Sequence, residues 1–169
     1  GESLAADYLA AREVVRAKAL AAVGHPQLAT AEEVLAPLAP RTPTAVRRAA
    51  ESVALEPGEP LTLAQAVNAA LAATLEAVPE ALVFGEDVAV KGGVYGVTRG
   101  LHARFGAARV FDTLLDETSI LGLALGTAVS GFLPIPEIQY LAYLHNAEDQ
   151  LRGEAATLQF FSQGQYRNG

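Results

Sequence analysis

Residues 109–126, RVFDTLLDETSILGLALG, decide the fold. Val110 and Phe111 read as a short buried strand, and Ser119 to Ala128 as an apolar helix with small residues at Gly122 and Gly126. Asp112, Asp116 and Glu117 lie between them. A carboxylate at the carboxyl end of a strand, where a helix begins, sits in the crevice in which open α/β sheets bind ligands. Glu117 is therefore the leading site candidate. Asp and Glu are also common in first helical turns, where they complement the helix dipole, so a plain capping role is the competing reading.

The rest of the composition bounds what can surround this unit. With 169 residues, 51% of them apolar, the chain has ample material for a buried core. The net charge of -7 argues against binding nucleic acid or an anionic membrane surface, since both need a basic face. With no cysteine there is neither a disulfide framework nor a thiolate metal site, which fits a cytoplasmic chain. The longest apolar run, Ile120 to Leu133, stops at Pro134, short of the roughly 18 residues that a membrane span needs, and no signal peptide is visible. No methionine is present, so the chain is expected to be a piece of a longer protein.

Upstream of the central unit, Ser3 to Val23 reads as a helix, with Leu4, Tyr8, Ala11, Val15, Ala19 and Ala22 on one face; Gly24 and Pro26 stop it. Thr30 and Glu33 form a capping box for a second, short helix. Residues 1–36 are thus a helical tail. Residues 37–60 carry five of the nine prolines and three arginines, Arg41, Arg47 and Arg48, and read as an interdomain linker that is a solvated tether.

The domain proper is expected over residues 61–169. Thr62 and Gln65 cap a helix that Pro79 ends, and Leu63, Val67, Ala70, Leu71 and Leu75 line its face. Ala81 to Phe84 reads as a buried parallel strand with Glu86 at its carboxyl end, a second site candidate. Lys91 to Gly100 holds four glycines in neither a dinucleotide nor a phosphate-loop pattern, and is expected to be a flexible surface loop. A short helix at Leu101 to Phe105 leads into the Val110 strand and the central helix. A third strand then runs from Leu133 to Ile138, and a long last helix from Tyr143 to Phe161. The fold class is α/β with a parallel sheet. Three strands leave that sheet incomplete, with an apolar face for a second copy or a missing half to cover, so an oligomer is expected. His25, His102 and His145 are too scattered for a zinc site, and no Gly-x-Ser-x-Gly nucleophile elbow occurs.

Three segments carry a family resemblance: LVFGEDVAVKGGVYGVTRGL ending at Leu101, RVFDTLLDE ending at Glu117, and IPEIQYLAYLHNAEDQLRGEAA ending at Ala156. In this order they resemble the amino-terminal part of the β subunit of the thiamine-diphosphate-dependent 2-oxo acid dehydrogenases, the decarboxylating component of the branched-chain and pyruvate dehydrogenase complexes. The resemblance runs from Leu61 to Asn168 and implies the pyrimidine-binding side of the thiamine-diphosphate-binding fold. It further implies that a 2-oxo acid is decarboxylated on thiamine diphosphate and the acyl group passed to a lipoyl acyltransferase. A transketolase-like or deoxyxylulose-phosphate-synthase-like enzyme and a non-catalytic assembly module are the alternatives.

By this resemblance Glu117 is the glutamate that holds ring nitrogen N1′ of the aminopyrimidine, where a carboxylate can favour the tautomer whose 4′ nitrogen accepts the C2 proton. Glu86 is a second acid of the surrounding network, Tyr143 the aromatic residue that stacks on the pyrimidine, and Leu115 and Gln139 line the same pocket. Thr118–Ser119 and His145–Asn146 depart from the family pattern, which bears on substrate class. Residues 1 to about 43 resemble, more weakly, the tail of an α subunit, which implies a natural fusion. The Gly-Asp-Gly motif for metal and diphosphate is missing here, so Mg2+ is expected on the other, diphosphate-binding half, and this piece alone is expected to lack activity.

Overall fold

The computed structural model describes residues 2–36, 43–44, 47–48 and 58–166. The chain divides into two compact units, Gly1–Ala36 and Pro37–Gly169. The first holds α1 (Glu2–Ala22) and α2 (Ala31–Leu35). The capping box forms as the sequence requires: Thr30 Oγ1 accepts from the Glu33 amide at 3.2 Å, and Glu33 Oε2 accepts from the amides of Thr30 at 3.0 Å and Ala29 at 2.7 Å. Those amides, that of Ala29 first, hold the Glu33 carboxyl below the usual carboxylate range. The expected stripe Leu4, Tyr8 and Val15 is on α1, yet every described side chain from Ser3 to Ala36 is exposed, so this unit has no core of its own.

Within the expected linker, Pro43, Thr44, Arg47 and Arg48 are helical and exposed. Most of the remaining linker, residues 37–42, 45–46 and 49–57, lies outside the described residues.

The second unit is organised around a parallel sheet. Helix α3 (Leu63–Ala77) starts at the Thr62–Gln65 capping box and ends before Pro79. Strand β1 (Ala81–Gly85) follows, then α4 (Leu101–Phe105), β2 (Val110–Asp112), α5 (Glu117–Val129) and β3 (Leu133–Glu137). Strand order is β2-β1-β3, parallel throughout, with Val83 opposite both Val110 and Ile135. As the central strand, β1 is buried at all five residues, which is why it reads as an uninterrupted apolar run.

Its side chains alternate between two cores. Ala81 and Val83 pack with Ala72 and Leu75 of α3, Leu101 of α4, Val88 and Val110. Leu82 and Phe84 pack with Ile120 and Ala124 of α5, and Phe84 stacks on Phe111 at 5.1 Å between centroids. The result is three layers, helix, sheet and helix. Arg109 ties the first layer to the sheet: Nε donates to the Ala81 carbonyl at 2.6 Å, and one terminal nitrogen to those of Val78 at 2.7 Å and Leu75 at 3.1 Å.

Two expectations are corrected. The single helix from Tyr143 to Phe161 is instead a 3₁₀ segment (Leu141–Ala147), a π segment (Gln150–Ala155) and α6 (Leu158–Phe161). Gly153 weakens the helix in the middle, and the Thr157 hydroxyl takes the Gly153 carbonyl. The glycine-rich stretch is not a loose surface loop but a packed one. Gly92, Gly93 and Thr98 are buried; the Gly93 amide donates to the Asp87 carbonyl at 2.8 Å, and Thr98 Oγ1 donates to that of Val88 at 2.8 Å. Gly92 takes φ 82° so close to Arg99 that a Cβ would lie 2.7 Å from its Cα, so the glycine serves close approach here. Among the described residues no helix is long and apolar enough to cross a membrane.

Candidate functional site

The carboxyl ends of β1, β2 and β3 open onto the start of α5, and the acids gather there. The α5 helix begins two residues earlier than the apolar pattern suggests, because Asp116 is its cap: its carboxylate accepts from the Ser119 amide at 3.2 Å. Glu117 is thereby relieved of capping. It is only 8% exposed, yet carries a carboxyl group that burial must justify. One oxygen, Oε2, accepts a hydrogen bond from Asn146 Nδ2 at 3.3 Å. The other, Oε1, accepts none among the described residues and is not sealed in, which leaves it for a donor from outside the chain.

Glu86 follows directly on β1. Burial first, then the charges of Glu117 and Asp87, push its carboxyl above the usual range, with Lys91 partly offsetting them. Asp87 adopts a left-handed backbone, φ 55°, which turns the chain sharply at the strand end. Its carboxylate takes a hydrogen bond from Lys91 Nζ at 2.7 Å, and this bond holds it below the usual range. Gln139, just beyond β3, bridges back to this turn: Nε2 lies 3.3 Å from the Glu86 carbonyl and 3.5 Å from Asp87 Oδ2. Leu115, 80% exposed, lines a cleft of about 300 Å³ with Glu86, Asp87, Asp112 and Thr113.

Glu86, Glu117, Gln139 and Leu115 are therefore all at this end of the sheet. Tyr143 belongs to an aromatic row, meeting Tyr140 edge-on at 5.4 Å, while Tyr140 meets Tyr95 edge-on at 5.8 Å. Its segment, Leu141–Ala147, packs on α5 and also supplies Asn146. Among the described residues no three histidine, aspartate or glutamate side chains are arranged to hold a metal ion.

Two residues escaped the sequence reading. Glu137, the last residue of β3, has Oε2 buried without a hydrogen-bond partner; burial first, then the charges of Glu86 and Asp87, raise its carboxyl above the usual range. Asn146, which the sequence marks only as a departure from the family pattern, touches Glu117. A signal for Glu137 exists, an acid at a strand end, but the burial of Oε2 comes from the folded surroundings of β3 and leaves no mark in the spacing. Nothing in the spacing of Asn146 indicates its partner.

Two carboxyl groups in unlike settings can divide a proton-transfer task. Glu117 offers one open oxygen at a fixed place, and Glu86 beside it retains its proton more readily than an ordinary carboxyl. Residues 59–160 match the family model for the transketolase pyrimidine binding domain. The chain belongs to this family. It is 50% identical over 104 residues to a pyruvate dehydrogenase E1 component subunit beta from Staphylococcus epidermidis, over 62% of this chain and 32% of that protein. A subunit of the same name from Staphylococcus aureus is 47% identical over the same length. The chain spans about a third of the length of these curated relatives.

Proposed function

We propose that this chain is the pyrimidine-binding part of a cytoplasmic 2-oxo acid dehydrogenase. The whole protein decarboxylates a 2-oxo acid on thiamine diphosphate and passes the acyl group to a lipoyl domain of an acyltransferase. The observation that carries this reading is Glu117, buried at the first turn of α5 with one oxygen held and one open, in a chain 50% identical over 104 residues to a pyruvate dehydrogenase E1 component subunit beta.

The residues fit an aminopyrimidine. A ring nitrogen that is to be protonated needs a carboxylate in a site poor in water, and Glu117 is such a group. The cleft beside it presents Glu86 and Leu115, and Tyr143 offers a ring on the segment that packs against α5. In this reading Glu117 shares a proton with N1′, Glu86 stabilises the arrangement of charge around it, Gln139 holds the two strand ends together, and Leu115 and Tyr143 exclude water and orient the ring. When bound, thiamine diphosphate supplies the electron sink for decarboxylation. Its diphosphate and Mg2+ belong to a diphosphate-binding half, contributed by a partner or by another part of the polypeptide, and the assembly is an oligomer.

The test uses the full-length protein with its diphosphate-binding half. Release of carbon dioxide from pyruvate and from branched-chain 2-oxo acids, dependent on added thiamine diphosphate, together with acylation of a lipoyl domain, is the expected result. Cofactor-dependent ketol transfer without lipoyl acylation would assign the protein to the transketolase-like reading, and no cofactor binding at all would make it an assembly module.

A further inference from the structure

A helix start fixes the backbone of Glu117 but not its carboxyl, because the side chain has several rotatable bonds beyond Cα. The group that fixes it comes from the 3₁₀ segment. Asn146 Nδ2 donates to Oε2 at 3.3 Å, and the next residue of α5, Thr118, donates from Oγ1 to the Asn146 carbonyl at 3.0 Å. Asn146 is thus clasped to the helix start at both its backbone and its side chain. Ala147, fully buried, anchors the segment immediately beyond.

The chemistry at position 146 matters because Nδ2, the atom that faces Oε2, can only donate, and an amide does not titrate and so does not compete for the proton. A carboxyl there would share that proton with Glu117. The charged group coupled to Glu117 from the sheet side is Glu86, and Asp116 caps the helix ahead of it; His145, next to Asn146, is exposed.

We propose that Asn146 is the positioning residue of Glu117, occupying Oε2 so that Oε1 is the oxygen presented to the ring N–H of the cofactor. This rests on the thiamine diphosphate reading above. Three variants of the full-length protein, with its diphosphate-binding half, test it: Asn146→Ala, Glu117→Gln and the two combined. The readouts are hydrogen–deuterium exchange at C2 of bound thiamine diphosphate and cofactor affinity by calorimetry. Asn146→Ala is expected to slow exchange about 10- to 100-fold, the range for losing a hydrogen bond to a charged group, while affinity changes by no more than about threefold. Adding Asn146→Ala to Glu117→Gln is expected to slow exchange no further, because Asn146 acts only through Glu117.

A fourth variant, Asn146→Asp, gives a readout that a purely structural residue would not move. Two carboxyl groups at this distance share a proton, so the acid limb of the exchange-against-pH profile shifts to higher pH. If Asn146→Ala exchanges at the wild-type rate and Asn146→Asp keeps the wild-type profile while Glu117→Gln is slow, this inference fails and the function stands. Wild-type exchange in both Asn146→Ala and Glu117→Gln would sink both. Multiplying losses in the double variant would overturn the claim that Asn146 works through Glu117.

Discussion

Replacing Glu137 by methionine should stabilise the sheet, and more so as pH rises. Oε2 of Glu137 is buried with no hydrogen-bond partner, and leaving such a group unpaired costs about 1–3 kcal/mol. Methionine has similar length and the freedom to fill the space, with no polar atom to strand. The sign with pH follows from the raised carboxyl. Its ordinary value is near 4.5, and burial, then Glu86 and Asp87, lift it in the folded protein. Between that ordinary value and the raised one, the folded chain binds more protons than the unfolded chain, so wild-type stability falls as pH climbs through the window. Below about pH 4.5 this penalty is absent. Above the raised value it is complete. The methionine variant has no such group, so its advantage over wild type should be smallest near pH 4.5 and largest at neutral pH. Hydrogen exchange of the β1 and β3 amides, compared between variant and wild type at each pH, reads this locally. At neutral pH the expected slowing is about 5- to 150-fold. Faster exchange in the variant at neutral pH, or an advantage that does not grow from acid to neutral pH, would refute the reasoning.

Three further outcomes follow from particular contacts. Gly85→Ala would put a Cβ 2.6 Å from the Glu137 carbonyl oxygen and 3.1 Å from its Cβ, forcing β1 and β3 apart. A loss of about 1–3 kcal/mol is expected in denaturant unfolding. Arg109→Ala leaves the carbonyls of Leu75, Val78 and Ala81 without their shared donor, and should cost about 2–4 kcal/mol in the same measurement. Glu117→Gln in the full-length assembly should lower kcat by at least ~10² with cofactor affinity little changed; steady-state kinetics with calorimetry checks it, and unchanged kcat would remove Glu117 from the chemistry.

Local chemistry was what the sequence made legible. The capping boxes at Thr30 and Thr62 are satisfied within four residues, so their reading needs no tertiary information. The run Ala81–Phe84 announces a strand covered on both faces, and the acid-bearing turns after it and before Ile120 mark the end of the sheet where Glu86 and Glu117 meet. The last segments look like one helix in the sequence because Leu144, Ala147, Leu151 and Ala155 keep an α-helical spacing through a tighter turn followed by a wider one. Which hydrogen-bond ladder the backbone adopts there depends on packing against α5, and spacing alone does not carry that. The glycines between Lys91 and Gly100 suggest freedom by composition, yet two of them serve proximity: Gly92 lets Arg99 in, and Gly93 leaves room for Glu137. Both partners are distant in the chain or hidden in a fold, so composition could not separate the two uses. The same limit hid the bond from Asn146 to Glu117.

The central place of β1 also governs how the chain can come into being. Of the three described strands it is made first, yet its neighbours are β2, and then β3, which arrives only after α5 has crossed over the sheet. At a ribosome adding about 5–20 residues each second, an apolar strand with two open edges waits several seconds for its second partner. Parallel pairing over such separations is slow, and slow strands with open edges are those that aggregate or engage chaperones. The strand that ends up best protected is therefore the one most vulnerable at birth, and the yield of the protein should be set by how quickly Ile135 reaches Val83.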